Sequence, residues 1–303
     1  MKRALVLGLL VAVGGLVTLR AQPDPNAPKV IEVEKVKDNL FVLRGGGGNT
    51  AVFVQAKGVT VVDTKNPGWG QPLLDKIKTL TDKPVTTVIN THLHFDHVSG
   101  NVAMPAAAEI VAHANNAENI ASPNRVVGFP GDSPNVFKEN PGKGIPKRTF
   151  TDKLTLGSGA DQVNLYYFGP AHTGGDAFVE FAAHRVLHAG DVFPSKSLPI
   201  MDKNNGGSGV EYANTVRKAV KGIPNVDIVI NGHTAANSTR SEMSQFADYV
   251  ADFIAHVQAG KKAGKTVEQV AKEWSVPAKY TGFNSAPPDR VTAYVNVIFG
   301  ETK

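Results

Sequence analysis

The chain has no cysteine among its 303 residues. That absence excludes a disulfide scaffold, a thiol nucleophile and any thiolate metal ligand. It also suits an oxidising compartment, where a stray thiol is a liability. Long apolar runs are scarce too. Only the N-terminus carries one that could enter a bilayer, so a multi-span membrane protein is excluded. Charged residues make up 19% of the chain and form no basic stripe. Lys2, Arg3 and Arg20 carry three of the five net positive charges, so the remainder is near neutral. Lys261, Lys262 and Lys265 read as a solvated helix face, and no nucleic-acid partner is expected. With 42% hydrophobic residues, the chain can bury a large core, and disorder over most of its length is excluded. The length allows one large domain or two small ones.

Met1–Ala21 reads as an export signal: a basic start, an apolar run from Ala4 to Leu19, then a small residue at Ala21. Gly14 and Gly15 weaken it as a permanent anchor. Leu19 stands where a cleavage site prefers a small residue, so an uncleaved anchor is the alternative. Either way the folded part is expected to be periplasmic or secreted, with no stable membrane insertion once the signal is removed. Residues 22–29 form a Pro-containing linker. Alternating or β-branched segments then predict strands at Val30–Val36, Leu40–Arg44, Thr50–Gln55 and Val59–Asp63. Gly45–Gly48 with Asn49 joins two of them, as a flexible hairpin turn or as a mobile flap. A helix is predicted over Pro72–Leu80, and strands at Val85–Asn90 and Glu109–His113. Residues 122–148 show no periodicity and read as a long loop. Strands follow at Gln162–Gly169, Ala177–Ala182 and Arg185–Ala189. Next come a helix at Val210–Lys221, a strand at Val226–Ile230, and helices at Ser241–Ala259 and Val267–Trp274. Val291–Ile298 fits helix or strand. The order predicts two similar α/β halves facing each other, within one domain spanning 30–303 whose C-terminal helices start near 241.

Chemistry concentrates in Thr91-His92-Leu93-His94-Phe95-Asp96-His97, directly after a predicted strand. Three imidazoles and a carboxylate packed together would suffer desolvation and mutual repulsion. A metal ion removes that problem, because neutral imidazole and carboxylate donate to it. His92 and His94 can point one way, and Asp96 and His97 toward a second position. Three later segments each offer one more such group at a strand end beside glycine: His172, Asp191 and His233. His113, His184 and His256 stand apart from these segments and read as surface or satisfied core groups. His188 reads as a core or supporting histidine. Lys196 is a candidate to meet a substrate carboxylate, with an exposed lysine as the plainer alternative.

The H-x-H-x-D-H loop, with Asp63 before it and His172, Asp191 and His233 after it, resembles the metallo-β-lactamase-fold hydrolase superfamily over roughly Val30 to His233. The resemblance implies a four-layered αβ/βα sandwich with the site at one edge of two facing sheets. It implies that His92, His94 and His172 hold one metal and that Asp96, His97 and His233 hold another. Asp191 would bridge them, and Asp63 would orient the loop from behind. Without cysteine, the lactamase subclasses with a Cys ligand are excluded. The Asp191 bridge is closer to glyoxalase II-like and lactonase-like members than to all-His lactamases. Secretion and the Gly-rich hairpin resemble exported lactamases.

The expected activity is hydrolysis of an amide, lactone or ester of a small molecule by a metal-bound hydroxide, with β-lactams among the candidate substrates. Asp96 would hold its metal and also receive a proton. Two zinc ions are the expected cofactors, and iron or manganese fits the ligand set nearly as well. The alternatives are a lactonase or thioesterase resembling glyoxalase II, and an iron-dependent oxidoreductase resembling persulfide dioxygenases. The C-terminal helices can cover the site, mediate dimers or simply pack.

Overall fold

The computed structural model describes residues 28–122 and 135–302. The expected export signal, most of the linker and residues 123–134 of the 122–148 segment lie outside the described residues. Seven strands form the first sheet in chain order: β1 (Glu32–Lys37), β2 (Leu40–Arg44), β3 (Thr50–Val54), β4 (Val59–Val62), β5 (Val85–Ile89), β6 (Glu109–His113) and β7 (Arg148–Phe150). Short turns make β1 to β4 antiparallel. From β4 to β7 the pairing is parallel, which requires crossovers. Helix α1 (Gly70–Lys78) supplies the first crossover, and the short α2 (Phe95–Val98) lies within the second. Helices α3 (Ala114–Ala121) and α4 (Val136–Glu139) lie between β6 and β7.

The chain passes to the second sheet across Thr151 and Asp152. That sheet holds β8 (Lys153–Leu156), β9 (Val163–Tyr166), β10 (Phe178–Phe181), β11 (Val186–Gly190) and β12 (Ile228–Asn231), in spatial order β12-β11-β10-β9-β8. Its one parallel pair, β11 with β12, is bridged by α5 (Tyr212–Gly222). Three helices close the chain: α6 (Arg240–Lys262), α7 (Val267–Glu273) and α8 (Pro288–Glu301).

Strand alternation decides the layering. Val42, Phe53 and Val62 of the first sheet meet Leu165, Val179 and Phe181 of the second, so these faces form the central layer. Their neighbours Leu43, Val52 and Val61 point the other way and pack against Leu73 and Ile77 of α1. On the far side, Leu187 and Val229 pack against Val216 of α5, Phe246 of α6 and Tyr294 of α8. The result is a four-layered αβ/βα sandwich. Each fully buried side chain of this size contributes about 1.5–3 kcal/mol relative to exposure. Val291–Ile298 is helical: Pro288 starts α8, and Val291, Tyr294, Val295 and Ile298 bury one face at helical spacing. Strands β7 and β8 and helix α3 were not expected from the sequence; α4 falls within the segment read as a loop, and β7 begins at that segment's last residue. At one rim of the sandwich, the loops after β4, β5, β9, β11 and β12 come together.

Candidate metal centre

Asp63 leaves β4 with a left-handed φ of 65° and is fully buried. Its Oδ1 accepts from the Thr91 backbone N–H at 2.8 Å. Its Oδ2 accepts from the Thr91 hydroxyl at 2.7 Å and from His97 Nδ1 at 2.7 Å. One carboxylate thereby fixes both ends of the histidine loop. A non-glycine residue in this region is strained, and such strain collects at functional sites.

The hydrogen bonds behind four of the imidazoles settle which ring nitrogen carries the proton. His172 Nδ1 donates to the Ile200 carbonyl at 2.9 Å, and His94 Nε2 to Asp202 Oδ2 at 2.8 Å. His97 Nδ1 donates to Asp63. His92 Nδ1 lies 3.0 Å from Thr91 Oγ1, whose own hydrogen goes to Asp63, so here too Nδ1 is the donor. In the neutral rings this leaves lone pairs on His92 Nε2, His94 Nδ1, His97 Nε2 and His172 Nε2. All four converge. His94 Nδ1 and His172 Nε2 face each other at 2.9 Å. Two lone pairs at that distance repel unless a cation lies near both. A proton is a poor candidate, because burial, with His94 next to it, pushes His172 down to about 3. His92 is also held well below its ordinary value by burial and by the neighbouring rings of His97 and His172. Its Nε2 is buried and has no hydrogen-bond partner among the described residues.

Two sets of donor atoms stand side by side. One is His92, His94, His172 and Asp191; the other is Asp96, His97 and His233; within each set the atoms lie within 4.8 Å of one another. Asp191 faces both. Its Oδ2 is 3.7 Å from His172 Nε2, 4.0 Å from His92 Nε2 and 3.1 Å from His233 Nε2. Its Oδ1 is 3.3 Å from His97 Nε2. Asp96 Oδ2 lies 3.6 Å from His97 Nε2 and 3.3 Å from His233 Nε2. Burial alone would depress His97, but the carboxylates of Asp191, Asp96 and Asp63 outweigh it and raise the ring well above its usual value. His233 is raised against the same opposition, chiefly by Asp191. Burial would raise Asp191, yet His233 and His97 hold it well below the carboxylate range. In the second set, the carboxylates favour positive charge on the rings of His97 and His233, which a bound cation would supply instead. The donors fit a divalent metal: imidazole nitrogens and carboxylate oxygens only, with four of the five rings, those of His92, His94, His97 and His172, oriented by an oxygen behind them.

The family model described as the metallo-β-lactamase superfamily matches residues 43–234, a span that begins in β2 and ends just past His233. The chain belongs to the metallo-β-lactamase superfamily. It is 29% identical over 254 residues to a metallo-β-lactamase type 2 of Elizabethkingia meningoseptica, covering 77% of this chain and 88% of that one. Among solved structures, a metallo-β-lactamase from Pontibacter korlensis superposes with a TM-score of 0.59 at 18% identity, over 73% of this chain and 99% of that one. A stereoselective inverting sec-alkylsulfatase from a Pseudomonas species superposes with a TM-score of 0.69 at 14% identity. That match covers 90% of this chain and 50% of the sulfatase. The two structures share the fold, and the superfamily assignment makes this chain a metal-dependent hydrolase.

Two glycines show how tightly this superfamily centre is built. A Cβ on Gly232 would lie 1.8 Å from Asp191 Oδ1, and one on Gly48 would lie 2.2 Å from His97 Cε1. Gly48 belongs to the Gly-rich hairpin between β2 and β3, which is fastened against the metal loop. Gly48 N–H donates to the Asp96 carbonyl at 3.0 Å, and Asn49 N–H to the Gly232 carbonyl at 2.7 Å. Lys65 Nζ, fully buried, donates to the carbonyls of Leu43 and Gly48, each at 2.8 Å. Burial pushes this lysine down to about 7. His188 Nε2 donates to the Asn49 carbonyl from the core.

Above the donors lies a cavity of about 290 Å³, whose walls include Phe95, Asp96, Leu198, Ile200, His233 and Arg290. Ser195 and Ser197 also face it. Lys196, between them, turns away and gives its ammonium to Glu242 Oε1 at 2.6 Å. The site therefore gathers the seven donors and Asp63, while the Lys196 ammonium is engaged elsewhere. His113 bonds the Thr151 carbonyl, His184 the Asn39 side chain and His256 the Val270 carbonyl. Sequence reasoning did not single out Asp202, Lys65, Thr91 or Arg290. Lys65 gave no signal, because a lysine just past a strand end is ordinarily exposed.

Proposed function

We propose that this protein is an exported dinuclear zinc hydrolase that opens an amide, lactone or ester bond of a small molecule. The observation that carries the reading is the placement of Asp191, whose carboxylate faces both donor sets. Zinc bound there would lower the pKa of a coordinated water to about 7 and polarise a substrate carbonyl. Everything else is work for the chain. His92, His94 and His172 would hold one ion, and Asp96, His97 and His233 the other. Asp202, the Ile200 carbonyl, Thr91 and Asp63 keep the rings in the donating tautomer. Asp96 lines the cavity and is partly exposed, so its carboxylate would also take a proton from the attacking water and return it to the leaving atom. Phe95 and Leu198 limit water at the reacting centre.

A β-lactam is favoured as substrate by the Elizabethkingia relative, and a lactone or thioester by an all-oxygen and nitrogen donor set with a shared aspartate. Metal analysis of purified protein, followed by a screen with a β-lactam, a lactone and a thioester, tests the reading. Two zinc ions per chain and turnover of one class are expected. His94→Ala should lose metal at one position, and an unchanged metal count would contradict the ligand assignment.

A further inference from the structure

A second cavity, of about 580 Å³, lies beside the metal cavity and shares Ile200 and Arg290 with it. Its lining is mainly apolar: Ile200 and Met201 on one side, and Ala293, Tyr294 and Val297 of α8 on the other. Two cations, Arg290 and Lys203, also line it. Neither side chain makes a hydrogen bond or ion pair among the described residues, although most other arginines there are engaged. Arg44 holds Glu34, Arg185 holds Asp227 and Arg217 holds Asp248. Arg290 is exposed and lines both cavities. Asp202 is also on this wall, but His94 Nε2 and Asn205 Nδ2 already engage its carboxylate. The wall of this groove thus contains the residue that orients a metal-binding imidazole.

We propose that this groove is a substrate subsite for an organic anion bearing an apolar chain. Arg290, with Lys203 further along, receives the anionic group, and α8 receives the chain. The scissile bond then lies next door, over the donors. The occupant follows from two features. A guanidinium and an ammonium without internal partners complement an anion. Ile200 and Arg290 line both cavities, so one molecule can reach from the groove to the metal cavity. The inference rests on the hydrolase reading for the scissile bond, but the groove can be tested without turnover.

The test uses zinc-loaded full-length protein and the probe 8-anilinonaphthalene-1-sulfonate, an apolar ring system with one sulfonate, followed by its fluorescence. Arg290→Gln removes the anion partner, and Ala293→Trp fills the groove from an exposed helical position. The dissociation constant should rise about fivefold in R290Q, as expected for one solvent-accessible charge pair. It should rise roughly tenfold or more in A293W, where the chain site is occupied. Lys57→Gln, an exposed cation on a distant turn, should leave it unchanged. Decanoate should displace the probe and decanol at the same concentration should not. Wild-type affinity in both R290Q and A293W overturns the proposal. So does a dimer that A293W dissociates, since a second copy would then fill the groove. Weakened probe binding with no hydrolysis of any screened compound would uphold the groove and count against the proposed amide, lactone or ester substrate. Hydrolysis with unchanged probe binding would do the reverse.

Discussion

At Gly232 a single methyl group decides whether Asp191 can stay where it is. The added Cβ would fall 1.8 Å from Oδ1, so the carboxylate must move away from both donor sets. Gly232→Ala should weaken zinc binding about 10–100-fold, the range seen when a ligand's support is lost. Competition with a chromogenic chelator measures it, and unchanged affinity would show that Asp191 is not held in place by this contact. The converging donors are legible in the sequence because imidazoles rarely crowd into six positions, and because each later partner follows an apolar strand. Asp202 is not legible. It sits in an irregular stretch, and only the fold brings it within 2.8 Å of a histidine 108 residues away. Arg290 is hidden for a different reason, since a lone arginine near a helix start reads as ordinary solvated charge.

Between β2 and β3, the glycine-rich hairpin behaves as a wall and not as a flap. Lys65 bonds the Leu43 and Gly48 carbonyls on the hairpin's two sides, and the metal loop holds Gly48 again through the Asp96 carbonyl. Lys65→Met keeps the apolar stem but strands two buried carbonyls, each costing about 1–3 kcal/mol when left unpaired. Urea denaturation of the metal-free protein should show that loss, and amide exchange at Gly48 should accelerate. Wild-type stability in that variant would mean the hairpin does not depend on the lysine. Elements were legible from sequence wherever periodicity was long. The three-residue β7 carries no pattern to read. Helix α3 is masked by its asparagines, which favour turns in isolation. Here Asn116 is buried and donates to the Gly175 carbonyl at 2.6 Å, so tertiary packing overrides local preference.

Across the whole molecule, protons and metal compete for the same cluster. His97 and His233 are raised by the carboxylates they face, so below those raised values the rings are protonated and repel a cation. Zinc loading should therefore fall as pH falls, and uptake near neutrality should release on the order of one to two protons. Calorimetry in two buffers of different ionisation enthalpy checks this, and identical heats would contradict it. The layered architecture was readable from the order of strands and helices. The placement of α5 to α8 against the second sheet was not, because amphipathic spacing shows that a face is buried and not what it is buried against.

The donors come from both halves of the sandwich. His92, His94, Asp96 and His97 follow β5 of one sheet, whereas His172, Asp191 and His233 follow strands of the other. In a protein without a single sulfur–sulfur link, an ion held at this rim would rivet the two sheets together. Free zinc a thousandfold above its dissociation constant would add about 4 kcal/mol against unfolding. A chelator should then act as a mild denaturant, lowering the melting temperature of the entire fold and not only silencing its chemistry.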